Sequence, residues 1–317
     1  MNKGISTVVG SLIFLMIMIA FFATFSYIQN QFVNFLNTNL SNLANNSQKN
    51  LESLDILSAA YDTYLPSNIT ASSNENSSYT LIDVYKPFDG IYAVFTNSTT
   101  KTKLVNLIST TFSIYIPNFT KFYTNTSYNA YLNLVYNLRI SCTANFGPKI
   151  YVLYASVAKT LNLTIYSNTL QSNSDNHPSC RSPIVTGFTF NTTIFMLNKN
   201  FVQNNLLNIT LNLQVQFNSE DNKTVNIGNA ELDIDYISLR IFINPPTIIP
   251  VYVLNNSPFT SLITQVIVFN TYTNYINNTN IAIPSGAIKL ITLKYLPNAN
   301  VKLITSLGNV YQATIGN

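Results

Sequence analysis

The sequence predicts one long N-terminal α-helix followed by an all-β region arranged as two immunoglobulin-like β-sandwich domains. Three observations carry this reading. A charge-free apolar run fills the chain from Ile5 to Ile28. Beyond residue 78 the chain breaks into short segments that alternate apolar and polar side chains, spaced by Asn, Ser, Pro and Gly. The composition suits strands, with 20 Tyr and 20 Phe beside abundant Ile, Val and Thr.

The run from Ile5 reads ISTVVGSLIFLMIMIAFFATFSYI, and about 20 apolar residues suffice to cross a bilayer as a helix. It is longer than a secretory h-region of about 7–15 residues, and the QNQFVNFLNTNL after it offers no small-x-small cleavage site. The segment is therefore expected to stay with the mature protein. Lys3 and the amino terminus carry the only positive charges before Lys49, which predicts a cytoplasmic N-terminus and everything after Tyr27 outside. No later stretch reaches 18 uninterrupted apolar residues, so a single crossing is expected. An apolar stripe then continues through Phe32, Leu36, Leu40, Leu43, Ser47, Leu51, Leu54 and Leu57 in steps of three and four. It predicts a helix from Ile5 to about Ala60, roughly 80 Å long at 1.5 Å per residue.

Lys3-Gly4 followed by Ile5-Ser6-Thr7-Val8-Val9-Gly10 and the apolar run resembles the class III signal of archaeal type IV pilins and related surface proteins. The resemblance implies a prepilin peptidase that cuts between Gly4 and Ile5, with Lys3 as the basic residue behind the cut. It also implies a helix that first anchors the subunit in the membrane and later packs against other pilin-like subunits. Phe32, Leu36, Leu40 and Leu43 would then lie in a filament core. The alternative is an uncleaved signal anchor, with residues 1–4 not a leader.

Residues 5–60 are thus expected to form the membrane helix and stalk, and 61–78 a linker, polar from Pro66 onward (PSNITASSNENSS). Residues 79–245 form the first predicted sandwich, ending at the Pro245-Pro246 step, and 246–317 a smaller second one. Gly308-Asn309 between two alternating segments marks a hairpin turn. The tail from Val301 to Tyr311 is similar in pattern to the C-terminal immunoglobulin-like module of archaeal pilins. The 79–245 region resembles no named family and lengthens the chain well beyond most pilins. That points to a minor or tip subunit mediating adhesion or cell–cell contact, or to a solitary membrane-anchored binding protein of the cell envelope. Surface glycans or a surface-layer protein are the expected ligands.

Chemistry-bearing residues are sparse. Charged side chains make up 9% of the chain, and its 16 basic residues are scattered singly, which argues against nucleic acid as a ligand. Cys142 and Cys180 in an exported chain read as one disulfide, worth roughly 3–4 kcal/mol in the chain-entropy picture; two separate thiols are the alternative. His177 is the lone histidine, in a polar loop, and with two thiols it makes too small a donor set for zinc. Glu231, Asp233 and Asp235 alternate in ELDIDY, which puts three carboxylates on one strand face, a weak calcium candidate. Asp221 lies nearby in sequence without calcium-loop spacing. No cofactor motif or catalytic constellation is present, so no enzymatic activity is expected. Thirteen Asn-x-Ser/Thr sequons, at Asn39, Asn45, Asn68, Asn76, Asn97, Asn118, Asn125, Asn162, Asn191, Asn208, Asn222, Asn255 and Asn277, are candidate glycosylation sites.

Overall fold

The computed structural model describes residues 3–72, 78–80, 83–101, 103–142, 148–169, 183–217 and 228–316. The helix α1 spans Lys3–Leu51. The strands that follow are β1 (Leu54–Ala59), β2 (Thr63–Tyr64), β3 (Pro66–Ser72), β4 (Ser78–Thr80), β5 (Ala93–Thr99) and β6 (Val105–Tyr115). Next come β7 (Ser127–Cys142), β8 (Pro148–Val157), β9 (Leu161–Thr169), β10 (Ile184–Val185), β11 (Thr189–Asn198), β12 (Leu206–Phe217) and β13 (Gly228–Phe242). The chain closes with β14 (Ile248–Asn255), β15 (Ser261–Phe269), β16 (Asn274–Ile283), β17 (Ile288–Lys294), β18 (Asn300–Thr305) and β19 (Val310–Thr314).

The strands make two antiparallel sandwiches, each around its own core. In the larger, a sheet ordered β10-β7-β13-β5-β4, with β11 also on β7 and β2 on β13, faces a sheet ordered β3-β6-β12-β8-β9. Strand β12 shows why this sequence chooses a sheet. Leu207, Ile209, Leu211, Leu213, Val215 and Phe217 alternate with polar residues, and all six are fully buried. Each such side chain contributes about 1.5–3 kcal/mol relative to remaining in water. In the smaller sandwich, β1-β14-β17 faces β16-β15-β18-β19. Its core joins Val251 and Val253 of β14 to Ile263 and Val266 of β15 and Val301 and Leu303 of β18. A register shift between Ile263 and Gln265 explains the three-residue step from Ile263 to Val266 on one face.

The larger sandwich is inserted into the smaller one. Strand β1 pairs with β14, from Leu54 opposite Asn255 to Ala59 opposite Val251. Between these adjacent strands the chain leaves through Tyr61 into β2, builds the larger sandwich, and returns from β13 across the Pro245-Pro246 step to Ile248. The insertion thus occupies the position of a hairpin turn.

This corrects two expectations. The helix ends at Leu51 rather than near Ala60, because the residues that continue its stripe find partners in a sheet. Leu54 enters the smaller core, and Leu57 falls where the β1 register shifts. The stretch expected as a linker is largely structured: Tyr61, Asp62, Thr63, Tyr64 and Leu65 are buried, and Pro66–Ser72 pairs with β6. At the crossing between sandwiches, Asp62 accepts hydrogen bonds from Thr247 N at 3.2 Å, Thr247 Oγ1 at 3.0 Å and Tyr123 Oη at 3.1 Å.

Candidate functional site

The helix is the most unusual surface of the molecule. From Gly4 to Gln48 it carries no charged residue, and it is exposed from Val9 to Leu51. It is the one helix among the described residues long and apolar enough to cross a membrane, and it fits a membrane anchor. Lys3, Gly4 and Ile5 form its first turn.

A bilayer core about 30 Å thick takes about 20 helical residues, so roughly half of the 49 lie beyond it. There Phe32, Leu36, Leu40 and Leu43 are 59%, 41%, 62% and 66% exposed, on one side of the helix. Eight of the 21 residues from Asn30 to Asn50 are asparagine, a mediocre helix former, and no intrahelical ion pair supports the turn geometry. A helix of this composition, alone in water, is marginal. Its apolar side calls for packing partners that the β region of the same chain does not supply.

Where the helix stops, it is bolted to the smaller sandwich. Glu52 is buried, and its Oε2 accepts from Thr305 Oγ1 at 2.6 Å and from Asn309 Nδ2 at 2.9 Å. Asn309 Nδ2 also donates to the carbonyl of Lys49 at 2.8 Å, and Tyr311 Oη to that of Glu52 at 3.0 Å. The β18–β19 turn, where Gly308 adopts φ 81°, therefore supplies the donors that the helix C-terminus needs.

The three carboxylates of the acidic row are engaged by protein partners. Glu231 pairs with Arg139 at 2.6 Å, Asp233 accepts from Asn137 Nδ2 at 2.9 Å, and Asp235 accepts from the backbone N–H of Phe88. A register shift between Ile234 and Tyr236 breaks the alternation at Asp235, so the three carboxylates take three separate partners. Among the described residues no group of three acidic, His or Cys side chains is placed to hold a metal. Burial raises the pKa of both Asp233 and Asp235.

Cys142 ends β7 and is disulfide-bonded, while Cys180, His177 and Asp221 lie outside the described residues. So do Asn76 and Asn222. Of the other sequons, Asn39, Asn45, Asn68, Asn118, Asn125, Asn162, Asn208 and Asn277 are exposed and Asn191 is half-buried. Asn97 and Asn255 are corrections, because both are buried and their amides are in use. Asn97 Nδ2 donates to Leu107 O at 2.6 Å. Asn255 Nδ2 donates to Phe259 O at 2.8 Å and Ile283 O at 2.7 Å. A glycan on either nitrogen is incompatible with the packed strands.

Sequence reasoning missed Glu52, Asp62 and Arg240. In a chain so poor in charge, an acid just past a helix end (Glu52), an acid between Tyr61 and Tyr64 (Asp62) or an arginine between Leu239 and Ile241 (Arg240) is the available signal.

No family model matches the chain, and no curated protein matches it in sequence. Among solved structures it is similar to the glycoside hydrolase domain of Endo-D from Streptococcus pneumoniae R6, at 7% identity over 83% of this chain and 43% of that one, with a TM-score of 0.21. A GH2 beta-galacturonidase from Eisenbergiella tayi bound to galacturonate aligns at 9% identity over 83% and 43%, with a TM-score of 0.14. The chain spans less than half the length of either. Scores this low carry no argument about fold or activity.

Proposed function

We propose that the chain is a pilin-like subunit, of minor or tip type, of an archaeal surface filament. In this reading α1 anchors it in the cytoplasmic membrane before assembly and packs against neighbouring subunits afterwards. A prepilin peptidase removes residues 1–4. The larger sandwich, joined to the helix only through the smaller one, is presented on the outside for adhesion or cell–cell contact, without enzymatic chemistry.

The carrying observation is the exposed, uncharged, asparagine-rich continuation of α1 beyond any bilayer span, with Phe32, Leu36, Leu40 and Leu43 unburied. Helices of neighbouring copies would bury that side. A solitary anchored binding protein has no such need of it.

The test is Leu40→Glu. In a filament core the carboxylate is desolvated without a partner, at a cost well above that of a surface change. Electron microscopy of expressing cells should show filaments lost, while the subunit still reaches the membrane and its β region resists protease as before. Filaments of normal abundance from the variant refute the reading. Absence of filaments from the unaltered chain favours the solitary anchor.

A further inference from the structure

The crossing between the two sandwiches borders a half-open cleft of about 310 Å³. Arg240 and Phe242 line it from the end of β13, Asn244 from the segment just after it, Tyr295 and Asn298 from the loop after β17, and Tyr61 from the connection. Ligand sites favour such junctions between domains, and a few polar groups over aromatic walls are their usual make-up.

Arg240 is the singular feature. Of the two described arginines, Arg139 is paired with Glu231, whereas the side chain of Arg240 has no ion pair or hydrogen bond among the described residues. The other charge in the cleft wall is Asp62. Its carboxylate is already engaged, accepting from Thr247 and Tyr123 rather than from Arg240. The aromatic side chains of the cleft wall differ in freedom. Tyr61 is fixed edge-on to Tyr295, ring centres 5.5 Å apart, and its hydroxyl donates to Leu296 O at 2.7 Å. Phe242 is half exposed at 49%. Asn244 and Asn298 are exposed at the rim, free to hydrogen-bond hydroxyls.

We infer that this cleft binds a sugar ring bearing a carboxylate. A free guanidinium fork matches a carboxylate in two parallel hydrogen bonds, flat aromatic faces suit the apolar face of a pyranose, and rim amides suit its hydroxyls. A cleft of about 310 Å³ is on the scale of a single ring. Because the walls come from both sandwiches, the ligand holds them together. The inference is independent of whether α1 assembles into filaments.

Glucuronate and glucose share a ring and differ in the carboxylate, which makes them the decisive probes. The full chain in detergent micelles is titrated with glucuronate, glucose and acetate, binding being read by ligand-observed NMR. Glucuronate should bind at least tenfold more tightly than either of the others. Arg240→Gln should lose tenfold or more in affinity at an unchanged melting temperature, and Asn298→Ala should lose less. Arg139→Gln, outside the cleft, should bind as the unaltered protein does. Four results overturn the assignment: no glucuronate binding, equal binding of glucose, equal binding of acetate, or unchanged affinity in Arg240→Gln. Should Arg240→Gln fail to fold, Arg240→Lys replaces it, keeping the charge but not the fork. Undiminished affinity in that variant together with Asn298→Ala also overturns it.

Discussion

Asp233 and Asn137 stand opposite each other on β13 and β7, with Asn137 Nδ2 donating to Asp233 Oδ2 at 2.9 Å, while the other oxygen of each side chain is buried without a hydrogen bond. A buried carboxylate oxygen that accepts no hydrogen bond disfavours the charged form of Asp233. Burial, reinforced by Glu231 two residues away, raises the Asp233 pKa, against the Asn137 hydrogen bond and Arg139, which lower it.

A pKa higher in the folded than the unfolded state means that the folded protein holds the extra proton. Stability is then fully present below the unfolded value of about 3.9 and is lost as pH rises through the raised folded value. Asp62, Asp83 and Asp235 are also raised, each chiefly by burial, so the β region should be more stable near pH 4 than at pH 7. Asp233→Asn removes the buried charge at every pH. It should stabilise the protein at pH 7 by about 1–3 kcal/mol, the usual penalty of an unsatisfied buried group. It should also flatten part of the pH dependence. Urea unfolding at both pH values checks this, and a variant less stable than the parent at pH 7 refutes it.

Asp62→Ala should loosen the crossing between the sandwiches. It strips acceptors from Thr247 and Tyr123 at once, at a cost of about 3 kcal/mol if neither finds water. Limited proteolysis should then cut between residues 243 and 248 well before either sandwich is degraded. A digestion pattern identical to the parent's would place the stiffness of the junction elsewhere.

Glycopeptide mass spectrometry should find Asn97 and Asn255 unmodified, since their amides are bonded to strand carbonyls. On α1 the two sequons should differ. At about 100° per residue Asn39 borders the stripe of Phe32, Leu36, Leu40 and Leu43, whereas Asn45 lies on the opposite side. In assembled filaments a glycan is expected at Asn45 and not at Asn39. Occupancy at Asn39 in intact filaments would contradict the packing proposed for that side.

Replacing residues 62–248 with Asn-Gly should leave a folded smaller sandwich. Ala59 pairs with Val251, so the two cut ends already belong to neighbouring antiparallel strands and a two-residue turn can join them. The shortened chain should unfold cooperatively, losing only the support that Lys86 lends to Asp55 and the contacts at the crossing. Non-cooperative melting would show that the smaller core depends on the larger.

Much of this fold was legible because alternation is local. Leu207 to Phe217 reads as a strand with no knowledge of its neighbours, and the apolar run from Ile5 reads as a helix. The end of that helix was not legible. Leu54 and Leu57 continue a helical stripe as well as they begin a strand, and the choice is made by Asn255 and Val251 far along the chain. The insertion was hidden for the same reason, since strand exchange leaves no mark at the point where the chain departs. The sequons at Asn97 and Asn255 look like the others because three residues say nothing about burial. Arg240 read as one more polar position in a strand. That it shares a cleft with the loop after β17 is visible only in the fold.

The hydrogen bond from Ser53 N to Ser257 Oγ joins residues 204 apart in the chain, and the pairing of β1 with β14 spans nearly the same distance. Order of synthesis and order of folding therefore oppose each other. Strand β1 emerges directly behind the helix, yet nothing can pair with it until β14 has been made. In the interval it is an orphan, with Leu54 and Ile56 exposed beside an open edge, the kind of strand that recruits the wrong partner. The inserted sandwich ends this wait, because folding it brings residues 61 and 248 together and removes most of the entropy of closing so long a loop. The domain begun first is completed last, and the insertion acts as the template that lets it close.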